Sequence, residues 1–276
     1  MPRIIKNIIK YGLRKFGGYE VIRPDMDGDR RHIYFRSFID LLIDRDIYNQ
    51  REWDFLLFCA KNLDKTNAQC FQDLFVLFEL AQKPNGFFVE FGAADGVTIS
   101  NSLLLERDHG WSGILSEPAR CWQAKLRENR KAIADFRCVW SVSGQQLEFN
   151  ENPIGELSTL KGFQPAHGIS SVEVGTSYKV LTVSLNDLLA EHAAPPEIDY
   201  LSIDTEGSEF AILSAFDFSS HNIRIITVEH NYVTENRQAI FELLTSHGYV
   251  RVFEPFSAWD DWYVRPAGDH SGERSL

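Results

Sequence analysis

The sequence contains no apolar run approaching the roughly 20 residues that a membrane-spanning helix needs. It also lacks the apolar stretch and small-residue cleavage site of a secretory leader. No C-x-x-C pair is present. Cys59, Cys70, Cys121 and Cys138 lie scattered, three of them in apolar segments, which points to buried reduced thiols. A surplus of positive charge is missing too: the formal net charge is −11, which argues against nucleic acid as the main partner. Internal repeats, low-complexity tracts and the G-x-G-x-x-G fingerprint are likewise absent. These absences leave an ordinary globular chain, expected in the cytoplasm.

What is present divides unevenly. With 276 residues, 44% of them hydrophobic, the chain can bury one large domain, or one domain with an appendage. The stretch "MPRIIKNIIKYGLRKF" carries Arg3, Lys6, Lys10, Arg14 and Lys15 and no acid, with Ile5, Ile8, Ile9 and Leu13 at helical spacing. It reads as a basic amphipathic helix at residues 1–16. Such a helix either lies on an anionic membrane surface or packs on its own domain or on a second copy in a homo-oligomer. Residues from about 17 to 36 look like a linker. "FIDLLIDRDIY", "WDFLLFCAKNL" and "FQDLFVLFEL" are helical, so residues 1–80 form an N-terminal extension and residues 81–276 the main domain.

From Gly86 the rhythm becomes strand and helix in alternation. "GFFVEFG", "SGILSEP", "FRCVWSVSG", "IDYLSID" and "IRIITVEHN" read as strands. Helices lie between them, and "YVRVFEP" with "DWYVRP" forms a closing strand pair. A less regular stretch from Gln145 to about Ser177 has room for inserted strands or a substrate loop. The alternation implies an α/β fold, an open parallel sheet with helices on both faces, whose ligand sits over the carboxyl ends of the strands. Those ends carry Glu90, Gly92, Ala94, Asp95 and Gly96; then Glu117; then Trp140 and Ser141; then Asp204 and Glu206; then Glu229, His230 and Asn231. Five polar strand ends on one edge make a site.

The bare backbone from Gly92 to Gly96 lets a cofactor approach closely. Two carboxylates, Glu90 and Asp95, repel a pyrophosphate but suit a cation, so the loop favours S-adenosyl-L-methionine, with its sulfonium, over a nicotinamide dinucleotide. Glu117 stands where an acid accepts the ribose hydroxyls. Asn101 and Ser102 open the next helix and either contact the cofactor or cap.

Three segments, "FFVEFGAADGVTISNSLLLERDHGWSGILSEP", "IDYLSIDTEGSEFAIL" and "IITVEHN", together resemble the FkbM family of S-adenosylmethionine-dependent methyltransferases. The resemblance runs in order from about Gln69 to Val264, and D-x-E-G-x-E at Asp204, Glu206, Gly207 and Glu209 is its most specific part. It implies a Rossmann-like seven-stranded methyltransferase sheet with an antiparallel last pair, and O-methylation, often of a sugar hydroxyl on a glycan or glycoconjugate. It also implies that Glu90, Gly92, Asp95 and Gly96 hold the methionine end, Glu117 the ribose, and Trp140 with Ser141 the adenine side. A sugar hydroxyl is a poor nucleophile, so a base beside it or a metal bound to it helps. Asp204, Glu206 and His230 are the candidate catalytic residues, and Asp204, Glu229 and His230 the candidate ligands of Mg²⁺ or another divalent metal. Glu209 is expected to satisfy the start of the following helix. His167, in the irregular stretch, is a lesser candidate for reaching the acceptor. Trp259, Trp262 and Tyr263 either stack on a sugar ring or form an edge-strand cluster. Two other readings stay open: a nicotinamide-dependent oxidoreductase, and a non-catalytic binding module on the same fold.

Overall fold

The computed structural model describes residues 49–266 except 153–154, 156–157 and 164–174, together with Phe35 and Ile39. The basic segment 1–16, most of the linker, and His167 lie outside the described residues.

The helices α1 (Gln50–Asn62) and α2 (Gln72–Glu79) precede the main sheet. The main sheet is built from β1 (Phe87–Phe91), β2 (Ser112–Ser116), β3 (Ile133–Asp135), β8 (Glu197–Ile203), β9 (Asn222–Glu229), β10 (Val250–Val252) and β11 (Asp260–Val264). Its order is β10-β11-β9-β8-β1-β2-β3. β3, β2, β1, β8 and β9 run parallel, and β11 is antiparallel to both β9 and β10. The strand order reverses between β1 and β8, the position at which such sheets open a crevice for ligand. The connecting helices are α3 (Leu103–His109), α4 (Arg120–Asn129), α5 (Leu185–Glu191), α6 (Glu209–Ser214) and α7 (Thr234–Ser246). α3 ends where Gly110 turns left-handed at φ 69°, a conformation that glycine adopts at helix ends without a Cβ clash.

Both faces of the sheet are covered, so its central strands are buried continuously instead of alternating. On one face α1 and α2 pack Phe55, Leu74 and Phe75 with Phe88, Tyr200 and Trp262, and Phe75 stacks on Trp262 at 4.6 Å. On the other face Val89, Leu201, Ile226 and Val228 meet Leu188 and Leu189 of α5, Ile212 of α6 and Ile240 of α7. The core is therefore continuous across residue 80. Trp262 and Tyr263 are fully buried, which leaves them to the edge cluster and away from a sugar ring. No helix among the described residues is long and apolar enough to cross a membrane.

One strand assignment changes. The stretch 136–144 reads as the third strand of the main sheet, but that place belongs to the three-residue β3, which is too short to show a period. Cys138–Trp140 instead forms β4 in a separate four-stranded sheet, β4-β7-β5-β6, with β5 (Gln146–Glu151), β6 (Thr159–Leu160) and β7 (Thr176–Ser184). Ala119, Cys138, Phe149, Leu160 and Val180 give this insert its own small core. Trp140 and Ser141 thus end a strand of the insert, not of the main sheet.

Candidate active site

The loop after β1 bends because its glycines have no alternative. Gly92 has φ 77°, and a Cβ there would lie 1.9 Å from the Asp204 carbonyl oxygen; at Gly96 it would meet Arg130 and Leu126 at 2.6 and 2.7 Å. The two acids of this stretch brace it. Asp95 accepts from the N–H groups of Val97 and Thr98 at 2.9 and 2.7 Å and from the Thr98 hydroxyl. Glu90 accepts from the Asn101 N–H at 2.8 Å and from the hydroxyls of Ser100 and Ser102. The Asn101 side chain donates to Ser202 on β8. Arg130, at the C-terminal end of α4, is wholly buried 3.8 Å from Glu90. Its guanidinium donates to Glu106, to the Gly96 carbonyl and to the hydroxyls of Ser100 and Ser102. With these acids turned inward, the loop presents exposed backbone at Gly92.

That backbone borders a cleft at the switch between β1 and β8, where sheets of this kind take their ligand. Gly92, Ala94, Glu117, Asp204 and Glu206 line one side; Cys138, Val139, Phe149 and Leu160 supply apolar wall from the insert. Glu117 accepts from the N–H groups of Ala94 and Ala119 at 2.9 and 2.7 Å. Burial nonetheless pushes its carboxyl up to about 7, outweighing those bonds, and the nearby charge of Asp204 adds to the rise.

Beside the cleft, Asp204, Glu206 and Glu229 bring carboxylate oxygens within 4.8 Å of one another. Asp204 and Glu206 are partly open and Glu229 is buried. Burial is the main reason all three hold their protons more tightly than usual; the charge of Asp204 adds to the rise at Glu206 and Glu229, and that of Glu90 to the rise at Asp204, so that Glu206 is pushed up to about 8 and Glu229 well above its ordinary value. Two buried carboxyls this close cannot both be ionised at little cost, so Asp204 and Glu229 retain a proton between them. Asn231 donates to Glu229 at 2.6 Å and to Glu206 at 3.4 Å. The backbone is strained here: Glu206, Asn231 and Tyr232 have φ of 55°, 48° and 58°. Such conformations collect at functional sites.

The sequence matches the family model described as the methyltransferase FkbM domain over residues 90–251, more than half of the chain. The chain belongs to the FkbM methyltransferase family. No curated protein matches it. Among solved structures, an uncharacterized protein from Burkholderia thailandensis aligns at 12% identity over 95% of this chain and 72% of its own, with a TM-score of 0.25, too slight a likeness to bear on fold or function.

Within this FkbM domain the structure gathers some of the sequence candidates and separates others. Gly92, Ala94, Glu117, Asp204 and Glu206 meet at the cleft, and Glu229 joins Asp204 and Glu206. Glu90, Asp95, Gly96 and Asn101 stand behind the loop as its framework. Trp140 lies edge-on to Phe163, 5.8 Å away, while the neighbouring Cys138 and Val139 form the wall; Ser141 follows Trp140 out of that wall. His230 points away from the three carboxylates: its Nδ1 accepts from the Tyr232 N–H, and its Nε2 contacts the Asp260 carbonyl at 3.1 Å and Asp261 at 3.8 Å. β9 stops at Glu229 and the chain turns through the left-handed Asn231 and Tyr232 just beyond, so His230 does not join Glu229 in the cluster. Glu209 accepts from the N–H groups of Thr205 and Gly207 and from the Thr205 hydroxyl, fixing the loop just before α6.

Two site residues escaped the sequence reading. Asp260 on β11 pairs across from Glu229, is buried, accepts from Gln72 of α2 at 2.6 Å, and holds its proton well above the usual range, chiefly through burial. Only the strand register could have shown Asp260 opposite Glu229. Nothing local in the sequence marks Arg130, whose burial beside Glu90 follows from the packing of α4 against the loop.

Proposed function

We propose that the protein is an S-adenosylmethionine-dependent O-methyltransferase acting on a hydroxyl group, most simply that of a saccharide. The observation that carries this reading is that Asp204 and Glu206 belong at once to the donor cleft and to the acid cluster, so donor and acceptor meet at one strand end. The fit to the donor rests on the exposed Gly92 backbone, which lines the cleft, and on Glu117, which keeps lone pairs beyond its two N–H bonds for ribose hydroxyls. The apolar side chains of Val139, Phe149 and Leu160 then enclose the base.

S-adenosylmethionine supplies a methyl group already activated by its sulfonium. The chain has to orient the acceptor oxygen in line with it, exclude water and take the hydroxyl proton. Glu206, in its ionised form, accepts the hydrogen bond of the acceptor hydroxyl and takes its proton as the methyl group transfers, and Asp204, whose carboxylate lies within 4.8 Å, stands ready to pass that proton on. Three carboxylates so close together also suit a hard divalent cation such as Mg²⁺. Asp204, Glu206 and Glu229 would hold it, with Glu206 replacing His230 in the set, and it would acidify the acceptor hydroxyl. All four cysteines are free thiols, in keeping with work in a reducing, cytoplasmic setting.

Calorimetric titration with S-adenosylhomocysteine, first with Mg²⁺ and then with excess EDTA, tests the reading. Micromolar binding supports it and opens a screen of saccharide acceptors with labelled donor; absence of binding in both conditions overturns the donor assignment.

A further inference from the structure

The inserted sheet reaches the site at a second point besides the cleft wall. Strand β6 is only Thr159 and Leu160, and consecutive strand residues face opposite ways. Leu160 is buried in the wall of the cleft next to Phe149. Thr159, also buried, donates its hydroxyl to the main-chain carbonyl of Glu206 at 2.9 Å. A little further along, the Phe163 ring lies over Gly207, where a Cβ would sit 3.0 Å from the ring edge. Glu206 is left-handed at φ 55° and Gly207 follows at φ 116°. A non-glycine residue keeps that conformation only where its surroundings over-determine it. Glu209 restrains the neighbouring N–H groups of Thr205 and Gly207, and Thr159 holds the Glu206 carbonyl between them.

We propose that Thr159 is a positioning residue for Glu206. Its hydroxyl locks the peptide that aims the Glu206 carboxylate at Asp204 and Glu229, with Phe163 holding the adjacent glycine. Because Leu160 is its immediate neighbour, a donor seated against the cleft wall stiffens β6 and, through Thr159, the acid cluster. The insert thereby couples donor occupancy to the readiness of the proton acceptor. The inference rests on the role given to Glu206 above.

Hydrogen exchange of the segment Asp204–Glu209, followed by mass spectrometry on the full-length protein, tests it in wild type, Thr159→Val and Thr159→Ser. Without ligand, Thr159→Val is expected to exchange about fivefold faster there, the effect of one lost hydrogen bond, while Thr159→Ser stays at the wild-type rate and β8 is unchanged in all three. Adding S-adenosylhomocysteine is expected to slow the segment further in wild type and Thr159→Ser but not in Thr159→Val. Equal rates for wild type and Thr159→Val, or acceleration spread through β8 in both variants, would overturn the proposal. Should Thr159→Val not fold, Phe163→Leu reads the same loop, with faster exchange expected and an unchanged rate counting against the clamp. Failure of S-adenosylhomocysteine to bind wild type would sink the donor assignment, and the ligand-free comparison would still decide the clamp.

Discussion

Two groups of acids lie a few residues apart on the carboxyl edge of this sheet, and their surroundings are opposite. Glu90 is buried against a buried guanidinium, two serine hydroxyls and a backbone N–H. Asp204, Glu206 and Glu229 are crowded with one another, and an uncharged amide, Asn231, is the donor that bridges two of them. A buried carboxylate with its charge balanced is a structural brace; crowded buried carboxyls with no cation beside them are poised to exchange a proton or to take a metal ion. Both groups sit where the strands stop, so position cannot separate framework from chemistry. Charge balance can.

The sharpest way to break this contrast is to neutralise one member of the unbalanced group. Asp204→Asn is expected to lower methyl transfer by about 10²–10⁴-fold, the usual worth of a proton-handling residue, while S-adenosylhomocysteine affinity measured by calorimetry stays within a few-fold. Equal loss of affinity would make Asp204 a binding residue only. On the balanced side, Arg130→Met strands Glu90 without its cation and is expected to cost about 3–5 kcal/mol in urea unfolding. A change near zero would mean that the serine and backbone donors suffice.

Glu117 lies between the two cases, bonded to backbone yet facing the cleft. Glu117→Gln is expected to weaken S-adenosylhomocysteine binding roughly 10- to 100-fold, as for a hydrogen bond to a charged group, with little change in melting temperature. The smallest effect concerns stability against pH. The Glu206 carboxyl rises from 4.5 to about 8 on folding, so between those values the folded state binds more protons than the unfolded one. Its contribution to stability is therefore complete below pH 4.5 and is lost as pH rises through about 8. Glu206→Gln should flatten that decline and stabilise the protein by about 0.5–2 kcal/mol at pH 8.5. Differential scanning calorimetry across pH 5–9 would read it, and an unchanged slope would place the titration elsewhere.

Much of the architecture is legible in the primary structure because it is local. Apolar runs closed by turn residues mark β1, β8 and β9, glycine marks the end of α3, and D-x-E-G-x-E marks the turn after β8. Where the reading went astray, the deciding contacts were distant. Cys138–Trp140 has the composition of a core strand and is one, but which sheet accepts it depends on pairing with β7, far along the chain. His230 and Glu229 are adjacent in sequence, but the strand stops at Glu229 and His230 is held by the Asp260 carbonyl and the Tyr232 N–H instead.

The sequence by itself determined the α/β fold, the edge that carries the site and the membership in the FkbM family, because periodicity and short motifs are properties of neighbouring residues. The tertiary structure alone decided which acids are neutralised, which strands form the insert, and that Thr159 and Gln72 touch the acid-bearing strand ends. The physical reason is that a carboxylate's behaviour depends on burial and on the charges around it in space, and Arg130, Asn231 and Asp260 reach their acids only when the strands and helices that carry them pack together.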